Sequence, residues 1–428
     1  MDTIFALATP HGKSGIAIIR ISGPESFRIS SILTRSSPAF GKFQYTSFFD
    51  KDGLVFDKGL VLAFKAPSSF TGEDVVEFHV HGSLAIITKM ENLIYETSYA
   101  RPAKNGEFTR RALTNGCINL IQVEALGDLL EAETELQLKQ AQITLNGNLH
   151  AFIHDLRTKI LTVSALLEAN IDFADEDIPE HLLPNVSKEL QDILSVIKQQ
   201  IIGSYVNERI KTGFEVALIG PPNSGKSTLL NYIAGRDVAI TSNVSGTTRD
   251  IIEIQTDLWG MSVTFLDTAG LRKTDDTIES IGINRAVSRA KSADLRIFLQ
   301  DKGHPLPFLN PKKDDLILTP KIDLISASDG VSGLTGQGVD TMLHTVHQTL
   351  TRRLSSSYVA THARHRMALQ SAEKTLSEAL SLTSVSSPEI EIIAHYVRNS
   401  VIYLDELIGT VGVEDVLGEI FSRFCIGK

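Results

Sequence analysis

Cysteine is almost missing from this chain: two residues, Cys117 and Cys425, in 428 positions. Two thiols cannot build a disulfide framework or a cysteine-rich zinc site, so a reducing compartment is the natural setting. Long apolar runs are missing too. No stretch reaches the roughly eighteen residues needed to span a bilayer, and the opening MDTIFALATPHGKSG has no basic n-region. A cytoplasmic protein without a membrane segment is expected. The third absence is an excess of positive charge: 41 basic and 51 acidic side chains give a net charge of −10. Such a chain gains little from general attraction to phosphate backbones, so any RNA contact must be local or carried by a partner. Arg110–Arg111, Arg352–Arg353 and the pair Arg364 and Arg366 are local basic groups, each read most simply as a solvated face.

What is present divides the chain into segments. Residues 1–120 read as mixed α/β, with β-like runs GIAIIRIS, GLVLAFK and DVVEFHVHG between turns rich in Gly, Pro and Ser. From 121 to 212, Leu, Ile and Ala recur at helical spacing with few breakers. At Gly213 the pattern becomes FEVALIG, a buried-strand signal, and strands and helices alternate to about 351. Residues 352–428 return to helical periodicity. Two helical segments flanking an α/β unit imply one all-α domain with an α/β domain inserted into it. The expected fold is therefore multidomain α+β: an N-terminal α/β domain, then a helical domain holding an inserted Ras-like P-loop domain.

The insert carries the sharpest chemistry. FEVALIGPPNSGKSTLLNYIAG is a strand, then G-x-x-x-x-G-K-[ST], then a helix. Glycines let backbone N–H groups curl around phosphates, and the helix N-terminus adds positive field. Asn223, Ser224, Gly225, Lys226, Ser227 and Thr228 form the candidate loop, with Lys226 reaching the terminal phosphates and Ser227 offering its hydroxyl to Mg²⁺. Downstream, SGTTRD supplies Thr247 and Thr248, of which a switch threonine completes the magnesium shell; Thr248 is assigned that place. VTFLDTAG ends an apolar strand in D-x-x-G, placing Asp267 to hold Mg²⁺ through water and the Gly270 amide to meet the γ-phosphate. LILTPKIDL places Lys321 and Asp323 after another strand, where a carboxylate can accept from guanine N1 and N2. Four pieces in this order make a GTPase. Ser332, in SGLTGQG, is the candidate fifth element, preferred to the nearer SAS because that would leave too little chain for an intervening strand.

Two features depart from the ordinary pattern. Pro320 stands where N-K-x-D has asparagine, and it has no amide to contact the base or tie the loops together. Leu271 follows D-x-x-G where Ras-like enzymes carry a water-orienting glutamine. Asn223, with backbone carbonyls near Ser242 and Val244 and with Thr247, suggests a monovalent cation beside the phosphates instead; a loop-stabilising amide is the plainer alternative. For the attacking water the candidate is Glu279, with Asp275 and Asp276, or a merely solvated acidic loop, as alternatives.

GPPNSGKS, GTTRD, DTAGLR and the terminal CIGK, with ATPHGKSGIAIIRISG, SFTGEDVVEFHVHG and NGEFTRRALTNG, closely resemble the bacterial and organellar MnmE (TrmE) family of tRNA modification GTPases over nearly the whole chain. The resemblance implies a 1–120 domain that binds a tetrahydrofolate derivative (5-formyl or methylene) and forms a homodimer. It also implies a 213–351 G domain whose GTP hydrolysis depends on Mg²⁺ and K⁺. The potassium positions are Asn223, Ser242, Val244 and Thr247, and Glu279 falls on the catalytic glutamate. An FAD-containing partner of the MnmG/GidA type, in a heterotetramer or larger complex, would share the work of adding an aminomethyl-type group to C5 of the wobble uridine of certain tRNAs. Arg20, Glu77 and Lys428 match the family's folate positions, whereas Cys117 replaces a lysine: either the site loses a charge that a thiol cannot supply, or the substitution is neutral. Prenylation of Cys425 is disfavoured by Gly427, Lys428 and the lack of a preceding polybasic stretch. The resemblance instead makes Cys425 a thiol needed for tRNA modification but not for hydrolysis. A ribosome-assembly GTPase and a non-enzymatic dimeric scaffold are the competing readings.

Overall fold

A computed structural model of the chain describes residues 2–172, 182–236, 253–267, 288–300, 309–325, 330–354, 359–385 and 389–409, and in the C-terminal stretch 418, 420, 421, 424, 426 and 427. It divides into two units: residues 1–127 with 405–428, and residues 128–404.

The first unit is built on β1 (Thr3–Leu7), β2 (Ser14–Ser22), α1 (Ser26–Thr34), β3 (Phe43–Phe49), β4 (Val55–Phe64), β5 (Val75–Gly82), α2 (Leu84–Glu96), β6 (Ala100–Pro102) and α3 (Glu107–Thr114). Helix α4 (Leu120–Glu131) runs across the division. The six strands form one sheet in the order β3-β4-β5-β2-β1-β6. Period-two alternation decides its faces. Ala17, Ile19 and Ile21 of β2 and Val76, Phe78 and Val80 of β5 turn to one side, where Ile29 and Leu33 of α1 and Ile87, Met90 and Ile94 of α2 cover them. The intervening Arg20 and Glu77 are cross-strand partners and so occupy the other face. On that side Phe108 of α3 packs with Ile4 and Ala6. The C-terminal Phe421 and Phe424 close on Val123 of α4.

The second unit begins with helices α5 (Glu135–Leu145), α6 (Asn148–Asp172) and α7 (Leu182–Thr212). The helical periodicity that runs on from 121 is thus cut into separate helices. Thr134 caps α5 in a reciprocal box with Gln137, and Gly147 breaks the chain before α6 at φ 90. The α/β part follows as β7 (Phe214–Ile219), α8 (Lys226–Ala234), β8 (Glu253–Leu258), β9 (Met261–Asp267), β10 (Leu295–Leu299), β11 (Leu316–Pro320), β12 (Gly330–Val331) and α9 (Val339–Thr351). Helices α10 (Ala363–Leu382) and α11 (Ile390–Ile408) complete it, the last turn of α11 passing into the first unit. The sheet order is β12-β11-β10-β7-β9-β8, with all neighbours parallel except the β8–β9 hairpin. Central β7 is buried at every position but Glu215, as strands covered on both faces must be. Among the described residues no helix is long and apolar enough to cross a membrane.

Candidate functional site

In open parallel sheets ligands bind beyond the C-terminal strand ends, where the strand order reverses. Here that point lies at β7, between β9 and β10. The loop leaving β7 turns through Asn223 at φ 62 and Gly225 at φ 93 before α8 begins. Both are left-handed conformations that glycine and asparagine tolerate best. Asn223 is exposed. Lys226 is buried, and its Nζ donates to the carbonyls of Gly220 at 2.9 Å and Pro221 at 3.0 Å, holding the ammonium over the loop.

Ser227 Oγ donates to Asp267 Oδ2 at 2.7 Å. This pair joins the first turn of α8 to the end of β9, so residues separated by 40 positions meet at one point. Asp267 is 4% exposed, yet among the described residues its Oδ1 has no hydrogen-bond partner, and neither does the buried Ser224 Oγ. An orphaned buried polar atom costs about 1–3 kcal/mol. Two of them beside a buried ammonium mark a place arranged for groups that bind there. A hydroxyl and a carboxylate suit a small hard cation with retained water, and the loop amides with Lys226 suit phosphate oxygens.

The base-side candidates follow the neighbouring strands. Lys321, exposed and at φ 56, leaves β11 directly after Pro320; Ile322 is buried beneath the turn and Asp323 half-buried beside it. The short β12 pairs with β11 and delivers Ser332, whose buried Oγ accepts from the N–H groups of Leu334 at 3.3 Å and Thr335 at 3.2 Å. This loop sits on the phosphate-loop helix itself. A Cβ on Gly333 would lie 2.5 Å from the Leu229 nitrogen. Thr228 is exposed on the same first turn.

The first unit gathers a second polar group. Arg20 Nε donates to Glu77 Oε1 at 2.8 Å, and its Nη1 donates to the Gly427 carbonyl at 3.4 Å. The guanidinium carbon lies 5.8 Å from the Phe70 ring centroid and 5.7 Å from that of Phe108. His79 Nε2 stands 3.4 Å from Glu77 Oε2. Cys117 is exposed and lies against the loop that carries Phe70, close enough that a Cβ on Gly72 would be 2.8 Å from its Sγ. Sequence reasoning did not include Phe70, Phe108 or His79. The alternation E-F-H in β5 places His79 on the face of Glu77 and was the signal for it; nothing in sequence pairs the two phenylalanines with Arg20. Ser242, Val244, Thr247, Thr248, Gly270, Glu279, Cys425 and Lys428 lie outside the described residues.

Comparison with known proteins adds an independent observation. The family model described as "GTP-binding protein TrmE N-terminus" matches residues 3–117, and that described as "MnmE helical domain" matches 120–425. Proteins named tRNA modification GTPase MnmE match from end to end. That of Roseobacter denitrificans is 48% identical over 100% of both chains. That of Dinoroseobacter shibae is 47% identical, again over 100% of both.

Proposed function

The chain belongs to the MnmE family of tRNA modification GTPases, and on that premise we propose that it hydrolyses GTP at the β7–α8 loop to drive modification of the wobble uridine of certain tRNAs. The observation that carries the GTPase reading is the Ser227–Asp267 pair with its unpartnered second carboxylate oxygen, set beside buried Lys226. Ser227 would hold Mg²⁺ directly and Asp267 through water, with Thr248 completing the set. Magnesium bound there supplies positive charge to the β- and γ-phosphate oxygens. Lys226 has to leave its two carbonyls to meet the terminal phosphates, and the loop amides then take over the oxygens. Asp323 accepts from the guanine N1 and N2 donors, which adenine lacks. The Gly270 amide would meet the γ-phosphate, and Ser332, on its seat against α8, lines the base side of the site.

For catalysis we assign K⁺ to Asn223 with Ser242, Val244 and Thr247, and water orientation to Glu279. The exposure of Asn223 on a left-handed turn supports the first. In the first unit, Arg20, Glu77 and Lys428 would bind a 5-formyl- or methylene-tetrahydrofolate. A carboxylate steadied by Arg20 and His79 can accept from the amino group and ring N–H of a pterin, and the flanking phenylalanines suit a flat ring. Folate supplies the one-carbon unit. Cys117 leaves a cation missing at this site, so binding weaker than with lysine there is expected. The remaining assignments are a homodimer, an MnmG/GidA-type FAD protein as partner in a heterotetramer or larger complex, a cytoplasmic setting, and Cys425 acting in modification alone.

The test has two arms. GTP turnover of the full-length protein is measured in K⁺ and in Na⁺, with a fall of at least tenfold expected in Na⁺. Wobble nucleosides are weighed by mass spectrometry with and without the gene, and loss of the C5 substituent is expected. Turnover indifferent to the alkali ion would refute the potassium assignment; unchanged nucleosides would favour a ribosome-assembly role.

A further inference from the structure

The α/β part of the second unit hangs from the helices by two crossings of the chain. The inbound crossing is the end of α7, where Lys211 stands just before β7; the outbound one ends at His362, the N-cap of α10. Both side chains close on one carboxylate. Lys211 Nζ lies 2.7 Å from Asp128 Oδ1, and His362 Nε2 lies 2.8 Å from Asp128 Oδ2. Lys211 Nζ and His362 Nδ1 themselves approach to 3.4 Å. A residue at the end of α4 thus grips both crossings, although it is 234 positions from His362. Burial alone would raise the pKa of Asp128, but the hydrogen bond and charge of His362 and the charge of Lys211 outweigh it and lower it.

Around this clasp the same joint is stitched by backbone contacts. Gln137 Nε2 donates to the Lys211 carbonyl at 3.0 Å, and Gln140 Nε2 to that of Asn207 at 3.1 Å. Asn207 Nδ2 in turn donates to the carbonyl of Ala360 on the outbound side at 3.1 Å. A second attachment lies at the tip of the β8–β9 hairpin, where the Gly260 carbonyl accepts the Leu136 N–H at 3.0 Å. That hairpin leads directly to the nucleotide site, because β9 ends in Asp267. Gln255 of β8 adds a bond from Nε2 to Glu133 Oε2 at 2.9 Å.

Stability is a poor reason for such a clasp. Buried ion pairs repay their desolvation only in part, and apolar replacements often do as well. What a charged clasp supplies is a single geometry. We propose that Asp128 is a positioning residue for the coupled reaction: by pinning both crossings it makes a nucleotide-driven shift of the α/β part reach the helices instead of dissipating at the joint. The proposal rests on the GTPase reading above. With the clasp closed, a displacement at Asp267 travels down a two-stranded hairpin to α5, and the crossings cannot yield to absorb it. With the clasp open, the hairpin tip moves against a loose joint.

The test uses the full-length protein and Asp128→Asn, which keeps the shape and removes the charge, with His362→Asn as the second variant. Two quantities are read: uridines modified per GTP hydrolysed, and the change in amide hydrogen exchange of residues 136–145 and 359–366 when GDP is replaced by a non-hydrolysable GTP analogue. Expected for both variants are GTP turnover within about twofold of wild type, modification per GTP reduced at least tenfold, and loss of the nucleotide-dependent exchange difference. Turnover falling in step with modification would make the cluster merely structural and overturn the proposal. So would a nucleotide-dependent exchange difference that survives in both variants. Wild-type protein that hydrolyses GTP but modifies no uridine refutes the tRNA reading instead, and the exchange measurement, which needs no tRNA, then decides the clasp alone.

Discussion

Pro320 closes β11 with a ring where an asparagine amide would bridge base and phosphate loop, and the next residue, Lys321, has to turn left-handed at φ 56. In the phosphate loop the Ser224 hydroxyl is buried without a partner among the described residues. Pro320→Asn restores an amide at that junction, and one recovered hydrogen bond contributes about 1 kcal/mol. GDP and GTP dissociation constants measured by calorimetry are expected to fall about five- to tenfold. Unchanged affinity would mean that the amide finds neither the base nor the loop. A second residue, Glu107, governs acid behaviour. Burial would raise its pKa, but the hydrogen bonds from Arg101, the Lys104 N–H and Arg111 overcome it and hold the group at about 2 against an ordinary 4.5. A depressed carboxylate contributes stability that is present above the unfolded pKa and is lost as pH falls through the folded one. The window is therefore pH 4.5 down to about 2. Glu107→Gln is expected to flatten the acid limb of the stability curve there by roughly 1–2 kcal/mol, after discounting for solvent screening. Chemical denaturation at pH 7 and pH 3 checks it: the variant's deficit must be smaller at the lower pH.

At the scale of elements, the nucleotide site depends on how closely two loops share one helix. The Ser332–Leu334 turn rests on α8 at Leu229, with Gly333 so near that any side chain must push the turn away. Gly333→Ala is expected to weaken guanine-nucleotide binding about tenfold or more while leaving far-ultraviolet circular dichroism unchanged; retained affinity would show that the seat is dispensable. Much of this was legible in sequence because its causes are local. FEVALIG is a strand since five of the six residues from Phe214 to Ile219 are buried, and the loop after it announces itself by glycine spacing. The short β12, Gly330–Val331, directly precedes Ser332. Other features have no local signature. The run after 121 has one helical period, but Thr134 and Gly147 cut it, and capping chemistry is weaker in sequence than periodicity. The Asp128–Lys211–His362 cluster joins three segments whose proximity only the fold creates, so no spacing could reveal it. Cys117 against Gly72 is likewise a contact between distant loops.

For the molecule as a whole, the first unit takes its substance from both ends of the chain, residues 1–127 and 405–428. The helical and α/β parts are therefore an insertion, in sequence, between the two pieces of the first unit. Among the described residues the C-terminal piece is fastened mainly by apolar packing, Phe421 and Phe424 against Val123 with Leu113, Ile118 and Leu126 around them, beside the Arg20 bond to the Gly427 carbonyl. Phe421 reaches so close to Gly106 that a Cβ there would lie 2.8 Å from its ring, which explains a left-handed glycine just before α3. If this cluster closes the unit, Phe424→Ala should act far from its own position in sequence. Removing a buried phenylalanine costs about 3–5 kcal/mol, and the loss should fall on the unit that contains β1 to β6. Thermal unfolding is expected to show an earlier transition. Hydrogen exchange should place it in residues 3–117 and leave β7, β9 and β10 protected as before. GTP turnover by the second unit should survive at temperatures below that transition. Exchange rising equally in both units would mean that the chain unfolds as one body and that its ends fasten more than the N-terminal sheet.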